Sequence, residues 1–224
     1  MAEQLGLDLP ARAALGRDDF FVSDANAMAL AMVESWPNWA GNKLAIIGPE
    51  GSGKTHLAHV WAAQSGARIV DATTLSKDAV PNLAQTPVAV ENVPAIATDP
   101  DAQDALFHLH NLTLAEGHSL LVTGVSEPKH WGLTLPDLKS RLQGTTTAVL
   151  SEPDDALLSI LFAKLFDDRQ LIPNAETIAY MVKHMDRSFA EARRLVREID
   201  QASLAKKRPV TRALAKLRSM CLTI

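Results

Sequence analysis

Residues 43–55 read Lys-Leu-Ala-Ile-Ile-Gly48-Pro-Glu-Gly-Ser-Gly53-Lys54-Thr55, and this stretch decides the fold. The mostly apolar start predicts a strand, the glycine-rich run predicts a tight loop, and a helix is predicted over 54–65. This spacing is typical of a loop whose backbone N–H groups surround a phosphate while Lys54 supplies a cation. We therefore predict a site for ADP or ATP, with its contacts at Gly48, Gly51, Ser52, Gly53, Lys54, Thr55 and His56.

The segments around this loop alternate between short apolar runs and helical patterns. Strands are predicted over 43–47, 67–70, 88–90, 118–123 and 145–150, and an early helix over 24–36, capped by Ser23 or Asp24. Such alternation is typical of a parallel sheet flanked by helices. After Pro153 only helical patterns remain, over 154–169, 175–185 and 188–206. The sequence thus predicts an α/β domain followed by a small all-helical lid domain.

Composition and charge argue against direct DNA binding, a membrane span and secretion. A formal net charge of -4 disfavours direct DNA binding, because DNA-binding surfaces carry clustered excess Lys and Arg. The apolar runs are shorter than the roughly 20 residues of a membrane-spanning helix, and the first residues lack a secretory pattern. The single cysteine, Cys221, fits a reducing compartment. We expect a cytoplasmic protein with no membrane segment, divided into a tail (1–17), a nucleotide-binding domain (18–152) and a lid (153–224).

The run Val88-Ala-Val-Glu91-Asn92 is the candidate for the acidic element that such sites place at the end of an apolar strand. Glu91 and the Thr55 hydroxyl are the predicted Mg²⁺ ligands. Asn92 stands where a second acid would polarise the attacking water, and an amide does not accept a proton from water. We predict intact nucleotide binding and weak hydrolysis. The alternative is that Glu91 is an ordinary strand-end carboxylate and the metal ligand lies elsewhere.

The order of several motifs resembles the AAA+ domain of the bacterial initiator DnaA. These motifs are Phe20-Phe-Val-Ser-Asp-Ala-Asn26, the phosphate loop, the strand ending at Asn92, Leu121-Val-Thr123-Gly and Leu135-Pro-Asp-Leu-Lys-Ser-Arg141-Leu. A lone AAA+ module behind a short tail is similar to the Hda family, whose members return DnaA to its ADP form. The resemblance covers about residues 18 to 218.

This resemblance implies roles for two further residues. Arg141 matches the arginine finger, whose guanidinium stabilises charge on a phosphoryl group held by a neighbouring subunit. Thr123 matches the position where a short polar side chain orients the terminal phosphate or the attacking water. The alternatives are a surface arginine that stabilises a helix C-terminus and a hydroxyl that ends a strand by chance.

The tail carries a second motif of the family. Gln4-Leu5-Gly6-Leu7-Asp8-Leu9 matches the Gln-Leu-x-Leu-x-Leu pattern by which Hda-like proteins bind the DNA polymerase III sliding clamp. The predicted clamp contacts are Gln4, Leu5, Leu7 and Leu9. In an extended segment, Leu7 and Leu9 enter an apolar groove and the Gln4 amide forms directional hydrogen bonds.

The sequence departs from the family at one position. The alignment places Ala190 where a lid arginine, the sensor-two residue, is expected, and Arg193 or Arg194 lies about one turn away as a substitute. This departure leaves open how the lid contacts a nucleotide.

The resemblance implies a negative regulator of replication initiation that binds the clamp, contacts DnaA and stimulates hydrolysis of DnaA-bound ATP through Arg141, with DNA contacted only indirectly. The alternative is an autonomous AAA+ ATPase, such as a helicase loader, that forms a homo-oligomer. A small-molecule kinase shares the phosphate loop, but the helices after Pro153 offer no acceptor pocket in the sequence.

Overall fold

The computed structural model describes residues 15–206 of the chain. Five strands form one sheet in the order β2-β3-β4-β1-β5, and each neighbouring pair is parallel. The strands are β1 (Lys43–Ile47), β2 (Arg68–Asp71), β3 (Val88–Glu91), β4 (Leu120–Gly124) and β5 (Thr147–Val149). The predicted parallel sheet is confirmed.

Helices cover both faces of the sheet and follow it in the chain. The first five are α1 (Ala27–Glu34), α2 (Lys54–Ser65), α3 (Val80–Leu83), α4 (Pro100–Ala115) and α5 (Pro136–Gln143). The last three, α6 (Asp155–Asp167), α7 (Ala175–His184) and α8 (Phe189–Lys206), form the helical unit predicted after Pro153. Within residues 15–206, none of the helices is long and apolar enough to cross a membrane.

The sheet separates two apolar layers because successive side chains of a strand point to opposite faces. In β1, Leu44 and Ile46 pack with α1 and α2, whereas Ala45 and Ile47 pack with α3, α4 and α5. A third buried cluster, which includes Phe162, joins α6, α7 and α8. The carboxyl ends of all five strands therefore meet at one edge of a rigid sheet.

Three predicted element boundaries need correction. The early helix begins at Ala27, and its first flanking residue is Asn26, so neither Ser23 nor Asp24 caps it. The Asn26 side chain accepts a hydrogen bond from the Ser23 amide and donates one to the Phe21 carbonyl. These bonds fold residues 21–26 into a loop, so the helix begins after Asn26.

Strand β4 begins at Leu120, two residues after the predicted start, and β5 begins at Thr147.

Candidate nucleotide site and an arginine outside it

The phosphate loop joins the end of β1 to the start of α2. Gly51 and Gly53 have φ values of 78° and 101°, which favour glycine because a Cβ atom is strained there. The Ser52 hydroxyl is buried and has no hydrogen-bond partner among the described residues. The helix beginning at Lys54 directs its free N–H groups toward this loop. A phosphate fits this cradle, since it satisfies both the helix start and an orphaned hydroxyl.

The Lys54 side chain is hydrogen-bonded to the loop. Its Nζ atom donates hydrogen bonds to the carbonyl oxygens of Gly48 and Pro49, each at 2.7 Å. Burial lowers the pKa of Lys54, and the negative charges of Glu50 and Glu91 oppose that change. The ammonium group is therefore positioned beside the loop by acceptors that a phosphate oxygen can replace.

A cavity of about 230 Å³ lies at the carboxyl edge of the sheet, beside the loop. It brings together most of the predicted residues for phosphate, metal and water, and it contains two carboxylates that the motif analysis missed. Its lining includes Gly51, Lys54, Thr55, Glu91, Asn92, Thr123, Glu50 and Asp71. The missed Asp71 follows an apolar strand in the sequence, the same signal that identified Glu91.

Thr123 and Asn92 contact each other within this cavity. The backbone N–H of Asn92 donates a hydrogen bond of 3.0 Å to Thr123 Oγ1, and Asn92 has a left-handed backbone with φ of 59°. The Thr123 side chain is buried at the end of β4, and its hydroxyl still has a proton to donate. Thr123 is thus fixed where it can donate to a group in the cavity, while Asn92 contributes through its backbone.

A larger cavity of about 590 Å³ lies between the loop, residues 15–26 and the helical unit. Phe20 and Phe21 line one side, and Leu157, Ile160 and Leu161 of α6 line the other. Its size and apolar walls suit a nucleoside. The predicted contact His56 lies in this wall, with its ring centroid 5.1 Å from that of Phe20 and its Nε2 atom 2.8 Å from the Gly16 carbonyl oxygen.

The structure distinguishes the two lid arginines. A Cβ atom placed on Gly51 would lie 2.3 Å from Nη1 of Arg193, so this guanidinium rests on the phosphate loop. Arg194 instead forms ion pairs with Glu191 and Glu198. Ala190, at the aligned position, is exposed and does not line the cavity. Of the two lid arginines, Arg193 is therefore the one that faces the site.

Arg141 lies outside both cavities, in the last turn of α5. Its guanidinium carbon is 5.3 Å from the centre of the Phe107 ring, and its carbonyl accepts a hydrogen bond of 2.7 Å from Lys43 Nζ. Lys43 begins β1, whereas the phosphate loop follows Ile47, and five strand residues span roughly 13 Å. Arg141 thus lies toward the opposite edge of the sheet from the phosphate loop of its own chain.

The charged neighbour of Arg141 that the structure shows is also basic, since Lys43 donates to its carbonyl. Within residues 15–206, Arg141 forms no salt bridge, and its side chain is exposed. The buried His110 of α4 lies nearby, and burial lowers its pKa to about 4, with the charges of Lys43 and Arg141 acting in the same direction. The predicted tail contacts Gln4, Leu5, Leu7 and Leu9 lie outside the described residues.

These features define a P-loop NTPase fold of the AAA+ type. Domain III of the Thermotoga maritima replication initiation protein DnaA has a TM-score of 0.72 at 18% identity, over 93% of this chain and 97% of that chain. AMPPCP-bound DnaA from Aquifex aeolicus has a TM-score of 0.63 at 19% identity, over 84% of this chain and 64% of that longer chain. A point mutant of Thermotoga maritima RuvB has a TM-score of 0.64 at 15% identity, over 91% of this chain and 71% of that chain.

The similarity establishes a DnaA-like AAA+ fold for this chain. No protein-family model matches the sequence. The functional roles of the individual residues therefore rest on the geometry described above.

Proposed function

We propose that this protein regulates replication initiation by stimulating the hydrolysis of ATP bound to DnaA, with Arg141 acting in trans. The observation that carries the proposal is the position of Arg141, exposed and free of ion pairs with the described residues, at the sheet edge away from its own phosphate loop. A guanidinium in this place stabilises phosphoryl charge in a second molecule more readily than in its own.

In this proposal the chain binds ADP or ATP at Lys54, with Thr55 and Glu91 holding Mg²⁺. The apolar cavity takes the nucleoside, and Arg193 contacts the phosphates from the lid. Nucleotide bound here joins the loop to α6 and α8. The neighbour from Aquifex aeolicus, which binds AMPPCP in a similar fold, supports a nucleotide at this site.

The tail supplies the second contact in the proposal. Gln4, Leu5, Leu7 and Leu9 bind the sliding clamp, and the clamp brings the chain to DNA indirectly. Tethering raises the local concentration of Arg141 near DnaA without any new contact. Stimulation therefore depends on both the tail and the clamp.

A direct test measures hydrolysis of ATP preloaded on DnaA when this chain and DNA-loaded clamp are added. The proposal expects acceleration with the wild-type chain and its loss in the double variant Gln4→Ala, Leu7→Ala. The tail variant is expected to keep its nucleotide affinity and thermal stability, which serves as the control. Equal stimulation by both chains, or none by either, would contradict the proposal.

The second candidate is an autonomous AAA+ ATPase that forms a homo-oligomer, in which Arg141 serves the next copy. The grouping of Lys54, Thr55, Glu91 and Thr123 around one cavity favours it. It requires steady turnover by the isolated chain that rises with protein concentration, together with nucleotide-dependent assembly. A monomer without this concentration dependence would exclude it.

A further inference from the structure

Asp71 occupies a place in the cleft that no motif assigns. It ends β2, and the parallel register pairs it with Glu91 at the end of β3. Neighbouring strands lie roughly 4.8 Å apart, so the two acidic residues are adjacent at the carboxyl edge. Both line the cavity that also contains Lys54, Thr55 and Thr123.

The Asp71 carboxylate is held by one oxygen only. Its Oδ1 atom accepts hydrogen bonds from the Thr73 amide at 2.9 Å and from Thr73 Oγ1 at 2.5 Å. Its Oδ2 atom has no hydrogen bond to the described residues. The side chain is thus oriented by a local turn, while a second oxygen stays available to accept a proton.

The other polar groups of the cleft have different roles. Asn92 carries an amide, which is not a base, and its backbone N–H is bound to Thr123. Glu91 acts electrostatically on Lys54 and is the proposed Mg²⁺ ligand. Glu50 belongs to the phosphate loop and also acts on Lys54. Asp71 is the carboxylate that stands one strand beyond Glu91 and lines the same cavity.

We propose that Asp71 is the general base with which this chain hydrolyses ATP in its own site. Oδ2 accepts a proton from water as the water oxygen bonds to the γ-phosphorus. The bond between that phosphorus and the β–γ bridging oxygen breaks, and ADP and phosphate leave. The hypothesis rests on the proposed binding of ATP at Lys54 and is independent of any action on DnaA.

This activity makes the resident nucleotide a slow internal switch. The chain that has bound ATP converts it to ADP without a separate activating protein, because the base is present within the fold. A carboxylate one strand away from the usual position predicts slower hydrolysis than in sites with an adjacent acid.

The test is a single-turnover assay with full-length chain in excess over ATP and with Mg²⁺, comparing wild type with Asp71→Asn. Asparagine keeps the Oδ1 acceptor for Thr73 but is not a base. Loss of a general base lowers rates by about a hundredfold or more. Asp99→Asn is the matched control, since Asp99 also accepts a backbone hydrogen bond, from Ala102, but lies outside the cleft.

The expected result is slow conversion of ATP by wild type and Asp99→Asn, and a rate lower by about a hundredfold or more for Asp71→Asn at unchanged ATP affinity. Hydrolysis by Asp71→Asn at the wild-type rate, loss in Glu50→Gln instead, or no conversion of bound ATP by wild type would each overturn the proposal. Failure to bind ATP, measured separately by fluorescent-nucleotide titration, would remove the Lys54 site and this proposal with it. Stimulation of DnaA, assayed on its own, reports separately on the proposed function.

Discussion

Lys54 and Arg141 are both cations of one small domain, and they differ in burial, in hydrogen bonding and in the sign of the neighbouring charge. Lys54 is half-buried, hydrogen-bonded to two loop carbonyls and flanked by Glu50 and Glu91. Arg141 is exposed, rests on Phe107 and has Lys43 as a basic neighbour. The first is arranged to hold an anion inside the chain. In our proposal the second meets an anion that another molecule brings.

The largest effect that sharpens this comparison is expected at Lys54. Lys54→Ala removes charge-assisted hydrogen bonds worth about 1.5–3 kcal/mol each, so ATP affinity should fall at least about a hundredfold. Isothermal titration measures this change directly. Lys43→Ala, at the opposite edge, is the control and should bind ATP like wild type. Similar losses in both variants would mean that the two regions are not separate.

The second effect is the pH dependence of the unfolding free energy that arises from His110, which lies near Arg141. His110 has its pKa lowered from 6.5 to about 4 by burial, so the folded chain holds it neutral while the unfolded chain protonates it below pH 6.5. The contribution of the neutral His110 side chain to the free energy of unfolding is complete above pH 6.5 and is lost as the pH falls toward 4. The difference is up to about 3 kcal/mol of unfolding free energy.

Urea unfolding at pH 7 and pH 4.5 measures this loss. His110→Leu should show a smaller decrease between the two pH values than wild type, whereas the exposed His108→Leu should decrease like wild type. A His110→Leu profile parallel to that of wild type would show that this imidazole is not the titrating group.

The smallest effect distinguishes two adjacent lid arginines. Arg193→Ala should weaken ATP binding about tenfold, because it removes one charge-assisted contact to phosphate. Arg194→Ala should leave the affinity unchanged, since Arg194 is paired with Glu191 and Glu198. Nucleotide titrations of the two variants make the comparison. The reverse order would place Arg194, not Arg193, at the nucleotide.

The sequence was sufficient for the sheet, the phosphate loop and the group formed by Lys54, Thr55, Glu91 and Thr123. The glycine spacing predicts the phosphate loop and the strand-end polar residues predict the site, because both depend on neighbouring positions in the sequence. The predicted strand over 67–70 ends just before Asp71, but only the structure shows that Asp71 pairs with Glu91 and lines the same cavity.

The lid contact lay beyond sequence reasoning. Alignment indicated Ala190, and the choice between Arg193 and Arg194 depends on how α8 packs against the loop, which is a tertiary property. The loop at 21–26 was missed for a related reason, since the Asn26 side chain bonds to Phe21 and Ser23 instead of capping α1 directly.

The central claim, that Arg141 acts on a nucleotide held by DnaA, is tested most directly by hydrolysis of DnaA-bound ATP in the presence of DNA-loaded clamp. We expect Arg141→Ala to abolish the stimulation given by the wild-type chain, while Lys139→Ala, an exposed neighbour on α5, retains it. Clamp and nucleotide affinities should be unchanged in both variants. Full stimulation by Arg141→Ala would contradict the claim.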